Sequence, residues 1–200
     1  RNGANLQGEA KEKYRALCKE LSLLTLQFSE NNLKETNDYK LVITDKSQLA
    51  GLPESAVEAA AEIAGEKGVE GWVFTLQAPS YGPFLTYADS RDLRRELYMA
   101  YNTKCTHDNA SNNLEIVKKL ANVRMEIAQL LGYDNFAEYN LQERMAQNSE
   151  SVYKLLDQLL EAYTPTAKQE YAEVQALARQ AEGEDFVVMP WDWAYSVSYT

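Results

Sequence analysis

The sequence contains a single histidine, His107, in the run CTHDN, and this limits the chemistry that its residues can perform. A zinc hydrolase usually holds its metal with a pair of histidines one helical turn apart and a further ligand. A lone histidine cannot supply that pair, and the sequence has no GxSxG element of a serine hydrolase and no GxGxxG or GxxxxGK[ST] phosphate loop. We therefore assign no catalytic residue and no metal ligand, and leave the substrate-binding residues unassigned.

Carboxylates do not supply an obvious acid/base site either. Asp108 follows His107, and a carboxylate can fix the tautomer of an imidazole base, but neighbours on a loop seldom face each other, so a structural role for His107 is the favoured interpretation. The 30 acidic residues are spread along the chain, and most acidic pairs at helical spacing belong to solvated helix faces.

The two cysteines, Cys18 and Cys105, are far apart and form no CxxC or Cys/His ligand spacing. We predict free, buried thiols rather than a disulfide or a zinc ribbon. The lack of a disulfide pattern favours a reducing cytoplasm, with a periplasmic or envelope-associated parent as the open alternative. The sequence opens at Arg1 without an initiator Met or a signal pattern, which predicts a piece of a longer chain.

A basic cluster of Arg91, Arg94 and Arg95 follows an aromatic and proline-rich run in PSYGPFLTYADSRDLRRELY. We expect a turn packed on the core, in which the arginines pair with acidic residues close in sequence. Those acidic residues are Asp89, Asp92 and Glu96.

Two further features are unusual for a helical domain. Arg124 lies on an otherwise apolar helix face in NVRMEIAQLLGY, where it needs a buried carboxylate partner or a route to solvent. The C-terminal run MPWDWAYSVSYT carries Trp191, Trp193, Tyr195 and Tyr199. Because a chain end rarely leaves such a cluster uncovered, we predict that it packs against a neighbouring domain.

Hydrophobic periodicity predicts a mainly α chain. Apolar residues three and four apart indicate a first helix from about Gly8 to Asn37. A second helix begins near Pro53 to Ser55 and ends at Gly65 to Gly68. From Asp89 onward almost every segment is helical, with Gly132 in the position of a C′ glycine.

The helical pattern is interrupted near the middle of the first half and again at a proline. Residues 41–44 and 71–87 carry β-favouring side chains, with a Pro/Gly turn before Phe84 to Tyr87, so we predict a small antiparallel hairpin or sheet there. Thr164 and Pro165 fall inside the last long helix, which is then either kinked or split into two helices with Thr164 as the second cap; we favour the kink.

Composition fits a folded domain rather than a disordered tail. The 200 residues are 45% apolar and carry a net charge of −10, which argues against a nucleic-acid partner. No apolar run is long enough to cross a bilayer. Because no repeat, Gly/Ser linker or low-complexity tract divides the chain, we predict that residues 1–200 form a single helical unit without an internal boundary.

Several long motifs occur in a fixed order, namely GWVFTLQAPSYGPFLTYADSRDLRRELYMAY, LANVRMEIAQLLGYDNFAEYNLQERMA and MPWDWAY. Together they resemble the thimet oligopeptidase family of zinc metallopeptidases, especially its bacterial peptidyl-dipeptidase (dipeptidyl carboxypeptidase) and oligopeptidase A branch. The opening RNGANLQGEAKEKYRALCKELSLLTLQF is similar to the same branch, so the likeness covers nearly all of the chain. The end AYSVSYT departs from the usual continuation of the family.

The resemblance implies a mainly α, clam-like enzyme in which two helical halves enclose a channel. Zinc is held there by an HExxH helix and a downstream glutamate, and short peptides are cut, with C-terminal dipeptides released in the dipeptidyl carboxypeptidase branch. Neither HExxH nor the third ligand occurs in this sequence, and the family places both after the WDW segment. No catalytic or metal-binding role is therefore carried over to any residue here.

We expect residues 1–200 to form part of the helical half that does not bind zinc, to supply scaffold and channel wall, and to be inactive alone. The partners implied are short peptide substrates and the rest of the same chain, with no nucleic acid and no membrane, and zinc is a cofactor of the parent only. This hypothesis predicts partly uncovered apolar faces on the first and last helices. The alternative is a free-standing acidic helical module that binds peptides or proteins, which predicts a complete surface.

Overall fold

A computed structural model describes residues 3–197, and this part of the chain is mainly α-helical, as predicted. Its helices are α1 (Gly8–Asp38), α2 (Glu54–Glu66), α3 (Ala78–Tyr87), α4 (Arg91–Asn102), α5 (Leu114–Leu130), α6 (Phe136–Leu141), α7 (Ser149–Glu182) and α8 (Trp193–Val197). Its strands are β1 (Leu41–Ile43) and β2 (Trp72–Phe74), and short 3-10 turns occupy Lys46–Leu49 and Pro190–Asp192.

The described chain divides into two compact units. Among the described residues, unit 1 consists of residues 3–32 and 108–166, and unit 2 of residues 33–107 and 167–197. Two of the divisions fall inside α1 and α7, and the third lies between α4 and α5. That residues 1–200 act as a single helical unit stays a prediction.

The core of unit 1 is built from one stripe of α1 and one stripe of α5. Leu17 and Leu24, two turns apart on α1, are buried together with apolar residues that recur three and four apart on α5. Those α5 residues are Ile116, Leu120, Val123 and Ile127. After α5, Gly132 adopts a φ of 86°, the left-handed conformation expected of a C′ glycine.

The core of unit 2 surrounds a two-stranded antiparallel sheet. Leu41 pairs with Phe74 and Ile43 with Trp72, and Leu41 and Ile43 are buried while Val42 between them is exposed. The Phe74 ring meets the Phe84 ring edge-on, with centroids 4.6 Å apart. Leu49, Ala60, Leu76, Ala88 and Leu97 complete this buried cluster.

Gly71 directly precedes β2 and lies against the end of β1. Its φ is 100°, and a Cβ placed there would lie 2.2 Å from the carbonyl oxygen of Ile43. A side chain at this position therefore collides with backbone rather than with a movable side chain.

The sheet is shorter than the sequence indicates. Residues 84–87 belong to α3 and not to a second extended segment. Pro79, which the pattern marks as a turn residue, lies in the first turn of α3, where its fixed φ suits a helix and its missing N–H has no intrahelical acceptor. Ser80 accepts a hydrogen bond from the Thr75 N–H at 2.9 Å and so ties the helix start to the end of β2.

The long helix α7 is continuous through Pro165. Thr164 does not cap a new helix; its hydroxyl instead donates to the Leu160 carbonyl at 2.5 Å. The alternative of two separate helices is therefore wrong. No helix within residues 3–197 has the length and apolar character needed to span a membrane.

Candidate functional site

The most deeply buried charge in unit 2 is the carboxylate of Asp192, which is 0% exposed. Arg91 donates to it from Nε at 3.1 Å to both oxygens and from Nη2 at 2.7 Å to Oδ2. Arg94 donates from Nη2 to Oδ1 at 3.1 Å. Asp192, Arg91 and Arg94, here named the Asp192 cluster, thus join α4 to the segment that follows α7.

The electrostatics of the cluster keep Asp192 ionised. Burial alone would raise the pKa of this carboxyl, but hydrogen bonds from Arg91, the Met189 N–H and Arg94 outweigh that effect, and the pKa lies below its usual range. The hydrogen bond to Asp192 likewise raises the pKa of the Arg91 guanidinium. Because donors occupy both oxygens, Asp192 does not act as a general base, and its role is to position the chain.

Arg94 is almost fully enclosed, at 2% exposure. Its Nη1 donates to the carbonyls of Ala88 at 2.6 Å and Asp89 at 3.2 Å, and its Cζ lies 3.8 Å from the centroid of the Tyr195 ring. Its Nε has no hydrogen-bond partner among the described residues. A buried guanidinium in such a setting depends on the Asp192 charge for its stability.

Aromatic side chains of the C-terminal segment cover the outer part of the cluster. The Arg91 Cζ lies 4.4 Å from the Phe186 centroid, and the Arg95 Cζ lies 5.4 Å from that of Trp191. Trp191 also meets Tyr98 of α4 edge-on at 6.2 Å. These contacts combine cation–π attraction with burial of apolar area.

Local sequence explains why Asp192 points inward. Pro190 begins a 3-10 turn, in which the Asp192 N–H donates to the Met189 carbonyl at 2.8 Å while its carboxylate accepts from the Met189 N–H at 3.0 Å. On the other side, Ser90 caps α4 by accepting from the Leu93 N–H. The cap sets the helix start so that Arg91 and Arg94, three residues apart, share one face.

This arrangement corrects one expectation from the sequence. Arg91 and Arg94 pair with Asp192, and not with Asp89, Asp92 or Glu96, because the fold brings the segment after α7 against α4. Trp191 and Tyr195 contact side chains of α4 in this chain, and packing of the aromatic cluster against a neighbouring domain stays a prediction. Tyr199 lies outside the described residues.

Asp192 itself is the residue that sequence reasoning missed. It is the one acidic residue within MPWDWAY, and an acid between two tryptophans is a signal of buried pairing with a distant cation. Nothing in the sequence says which of the 20 basic residues supplies it.

Unit 2 also contains a cleft of about 470 Å³. Small side chains of α2 line it, with Ala56, Ala59 and Ala60 next to Phe74. At its edge, Gln77 Nε2 donates to Asn37 Oδ1 at 2.8 Å. The volume is that of a small-molecule or side-chain pocket, and its polar lining includes Glu66, Lys67 and Ser80.

A second cavity of about 490 Å³ lies beside the C-terminal segment. Tyr171, Val188, Met189, Pro190 and Trp193 line it. The rings of Tyr171 and Trp193 are nearly parallel, with centroids 6.2 Å apart, and Trp193 remains 41% exposed. This surface is apolar and aromatic, and suits contact with an apolar group rather than chemistry.

The remaining sequence candidates do not gather into a site. His107 is exposed, with Nε2 3.4 Å from Thr103 Oγ1. Cys18 is half-buried and Cys105 buried, and both are free thiols, as predicted. Burial raises the pKa of the Cys105 thiol, which lowers the share of the reactive thiolate. Arg124 takes the route to solvent, with its Cζ 5.6 Å from the Phe136 centroid.

A zinc site does not fit the residues present. Within residues 3–197, no three His, Cys, Asp or Glu side chains are grouped closely enough to hold a metal ion. No step of a metal-assisted reaction is therefore derived from this part of the chain.

Comparison with known proteins gives a consistent result. The model of peptidase family M3 matches residues 84–199. Oligopeptidase A of Escherichia coli K12 is 36% identical over 198 residues, covering 97% of this chain and 29% of that protein. Dipeptidyl carboxypeptidase of the same organism is 31% identical over 194 residues, covering 96% of this chain and 28% of the relative. Saccharolysin of Saccharomyces cerevisiae is 27% identical over 201 residues, covering 97% of this chain and 27% of that protein.

Proposed function

The chain belongs to peptidase family M3, and we propose that it forms part of a zinc-dependent peptidase that cleaves short peptides. The observation that carries the proposal is the 36% identity to an oligopeptidase across 97% of the chain. The chain spans 29% of that relative's length, so the activity belongs to the longer parent.

The role we propose for residues 1–200 is structural. They provide helical scaffold and part of the channel wall, and they bind peptides only together with the rest of the parent. The zinc ligands and the general base then come from the remainder of the polypeptide. Support comes from the described residues, whose buried charges in the Asp192 cluster are paired with each other and whose carboxylates and single histidine form no metal-binding group.

A finer proposal concerns the products. We propose release of C-terminal dipeptides, supported by the 31% identity to a protein named dipeptidyl carboxypeptidase. An oligopeptidase that cuts inside the peptide is the competing outcome, supported by the 36% identity to oligopeptidase A. We place the parent in a reducing cytoplasm because both cysteines are free.

The test compares the parent protein with residues 1–200 alone on a set of short peptides, with and without a zinc chelator. We expect the parent to hydrolyse peptides, to lose activity on chelation and to recover it with Zn²⁺, while residues 1–200 show no hydrolysis. Mass spectrometry of the products separates dipeptide release from internal cleavage.

Either of two results contradicts the proposal. Chelator-sensitive hydrolysis by residues 1–200 alone would show that the metal site lies within them. A parent gene that ends at Thr200 would favour the free-standing binding module instead.

A further inference from the structure

The first half of α7 is uncovered on all sides within the described part of the chain. Between residues 150 and 163, every side chain is exposed except Val152, which is half-buried. The second half differs, because Val174 and Ala178 there are buried. The helix thus runs from a bare first half into a packed second half.

The bare half is strongly amphipathic. Advancing 100° per residue, its large apolar side chains fall within an arc of about 160°. We name this set the α7 apolar face; its members are Val152, Tyr153, Leu155, Leu156, Leu159, Leu160 and Tyr163. Leu160 is 67% exposed and Tyr163 65%. The other side of the helix carries Glu150, Lys154, Asp157 and Glu161.

Such a surface is unfavourable as it stands. An isolated helix as short as residues 150–163 is only marginally stable in water, and most helical stability in proteins comes from packing an apolar face. Contiguous exposed apolar surface of this kind marks an interaction site. The face therefore has the composition of a packed helix without its neighbour.

We infer that the α7 apolar face packs, in the intact parent, against an amphipathic helix from the part of the polypeptide outside residues 1–200. This inference rests on the proposed function. The relatives supply the chain needed, since 71% of oligopeptidase A lies outside its matched 29%. The polar side of α7 carries three carboxylates and one lysine in residues 150–161, and it lies opposite the apolar face, so it stays in contact with solvent when the partner helix packs.

The decisive experiment measures thiol reactivity at matched positions on the two sides of α7. Leu156→Cys lies on the apolar face and Lys154→Cys on the polar side, and both positions are exposed, so neither change should disturb folding. Each variant is prepared in residues 1–200 and in the parent. A maleimide is added at a concentration where light scattering shows a monomer, and mass spectrometry of the peptide that contains residue 154 or 156 gives the rate.

We expect L156C to react quickly in residues 1–200 and more than about tenfold more slowly in the parent, because a packed thiol reacts only on local opening. K154C should react at nearly the same rate in both. Peptide hydrolysis by the parent is measured in parallel, so an inactive parent with a protected L156C would reject the proposed function and keep the interface.

Three outcomes would overturn the inference. They are equal L156C rates in the parent and in residues 1–200, equal protection of L156C and K154C, and protection in residues 1–200 that grows with protein concentration. The last would assign the face to a second copy of the chain. A parent gene ending at Thr200 would overturn it together with the proposed function.

Discussion

Arg94 in α4 and Arg124 in α5 are both arginines on amphipathic helices, yet one is enclosed and the other is exposed. Arg94 is 2% exposed and pairs with Asp192, which lies 98 residues away in sequence. Arg124 lies beside the buried stripe of α5, is exposed, and places its guanidinium over the face of the Phe136 ring. A buried arginine therefore depends on an anion that the topology delivers, whereas an exposed one needs only a route to solvent.

The largest effect that sharpens this comparison should come from Asp192→Asn. The change keeps the shape of the side chain but leaves the buried Arg94 guanidinium without its anion, which we expect to lower the free energy of unfolding by about 3–5 kcal/mol. All three tryptophans, Trp72, Trp191 and Trp193, belong to unit 2. Urea unfolding followed by tryptophan fluorescence therefore reports on the affected unit.

The matched control is Asp38→Asn in the same unit. Asp38 pairs with Lys34 on the surface, and both side chains are 62% exposed, so no resolvable change in the midpoint is expected. If both variants shifted the midpoint equally, the Asp192 cluster would have no special weight in stability.

A smaller effect is expected from removing the arginines themselves. Arg94→Met should cost about 2 kcal/mol, because Asp192 keeps Arg91 as its partner, while Arg124→Met should change stability by less than about 0.5 kcal/mol. Chemical unfolding followed by circular dichroism measures both variants on one signal. Equal losses would mean that burial does not distinguish the two arginines.

The smallest effect is on the pH dependence of stability, and it is confined to acidic pH. The folded chain holds the pKa of Asp192 below its usual range, so the carboxylate contributes stability above the unfolded pKa of about 3.9, and this contribution is lost as the pH falls through the lower folded value. Fluorescence-detected urea midpoints between pH 2.5 and 7 should fall more gently below pH 4 in D192N than in the unchanged chain. Parallel profiles would contradict the assignment.

Helical periodicity was sufficient for most of the fold and for little of the site. It predicted α1 and α2 to within a few residues. The β-favouring side chains predicted a small antiparallel hairpin or sheet near residues 41–44 and 71–87, and β1 and β2 pair within those ranges. It failed at residues 84–87, because Pro79 is compatible both with a turn and with the first turn of a helix.

The Asp192 cluster was beyond sequence reasoning for a different reason. Its arginines and its aromatic cover were both visible as unusual runs in the sequence. The ion pairs, however, join Asp192 to Arg94, 98 positions away, and to Arg91, 101 positions away. Spacing along the chain predicts neighbours on one element, and pairing between distant elements depends on the tertiary fold. The bare half of α7 shows the same limit, since periodicity predicts the face and not what covers it.

Gly71 has a consequence for how this sequence can change over time. The Ile43 carbonyl oxygen lies 2.2 Å from where any Cβ would be, and the φ of 100° is one that other residues rarely adopt. Every missense change at this codon introduces a Cβ, so each of them strains the start of β2. We therefore expect glycine to be retained at position 71, and exposed positions of unit 2 to tolerate substitution more readily.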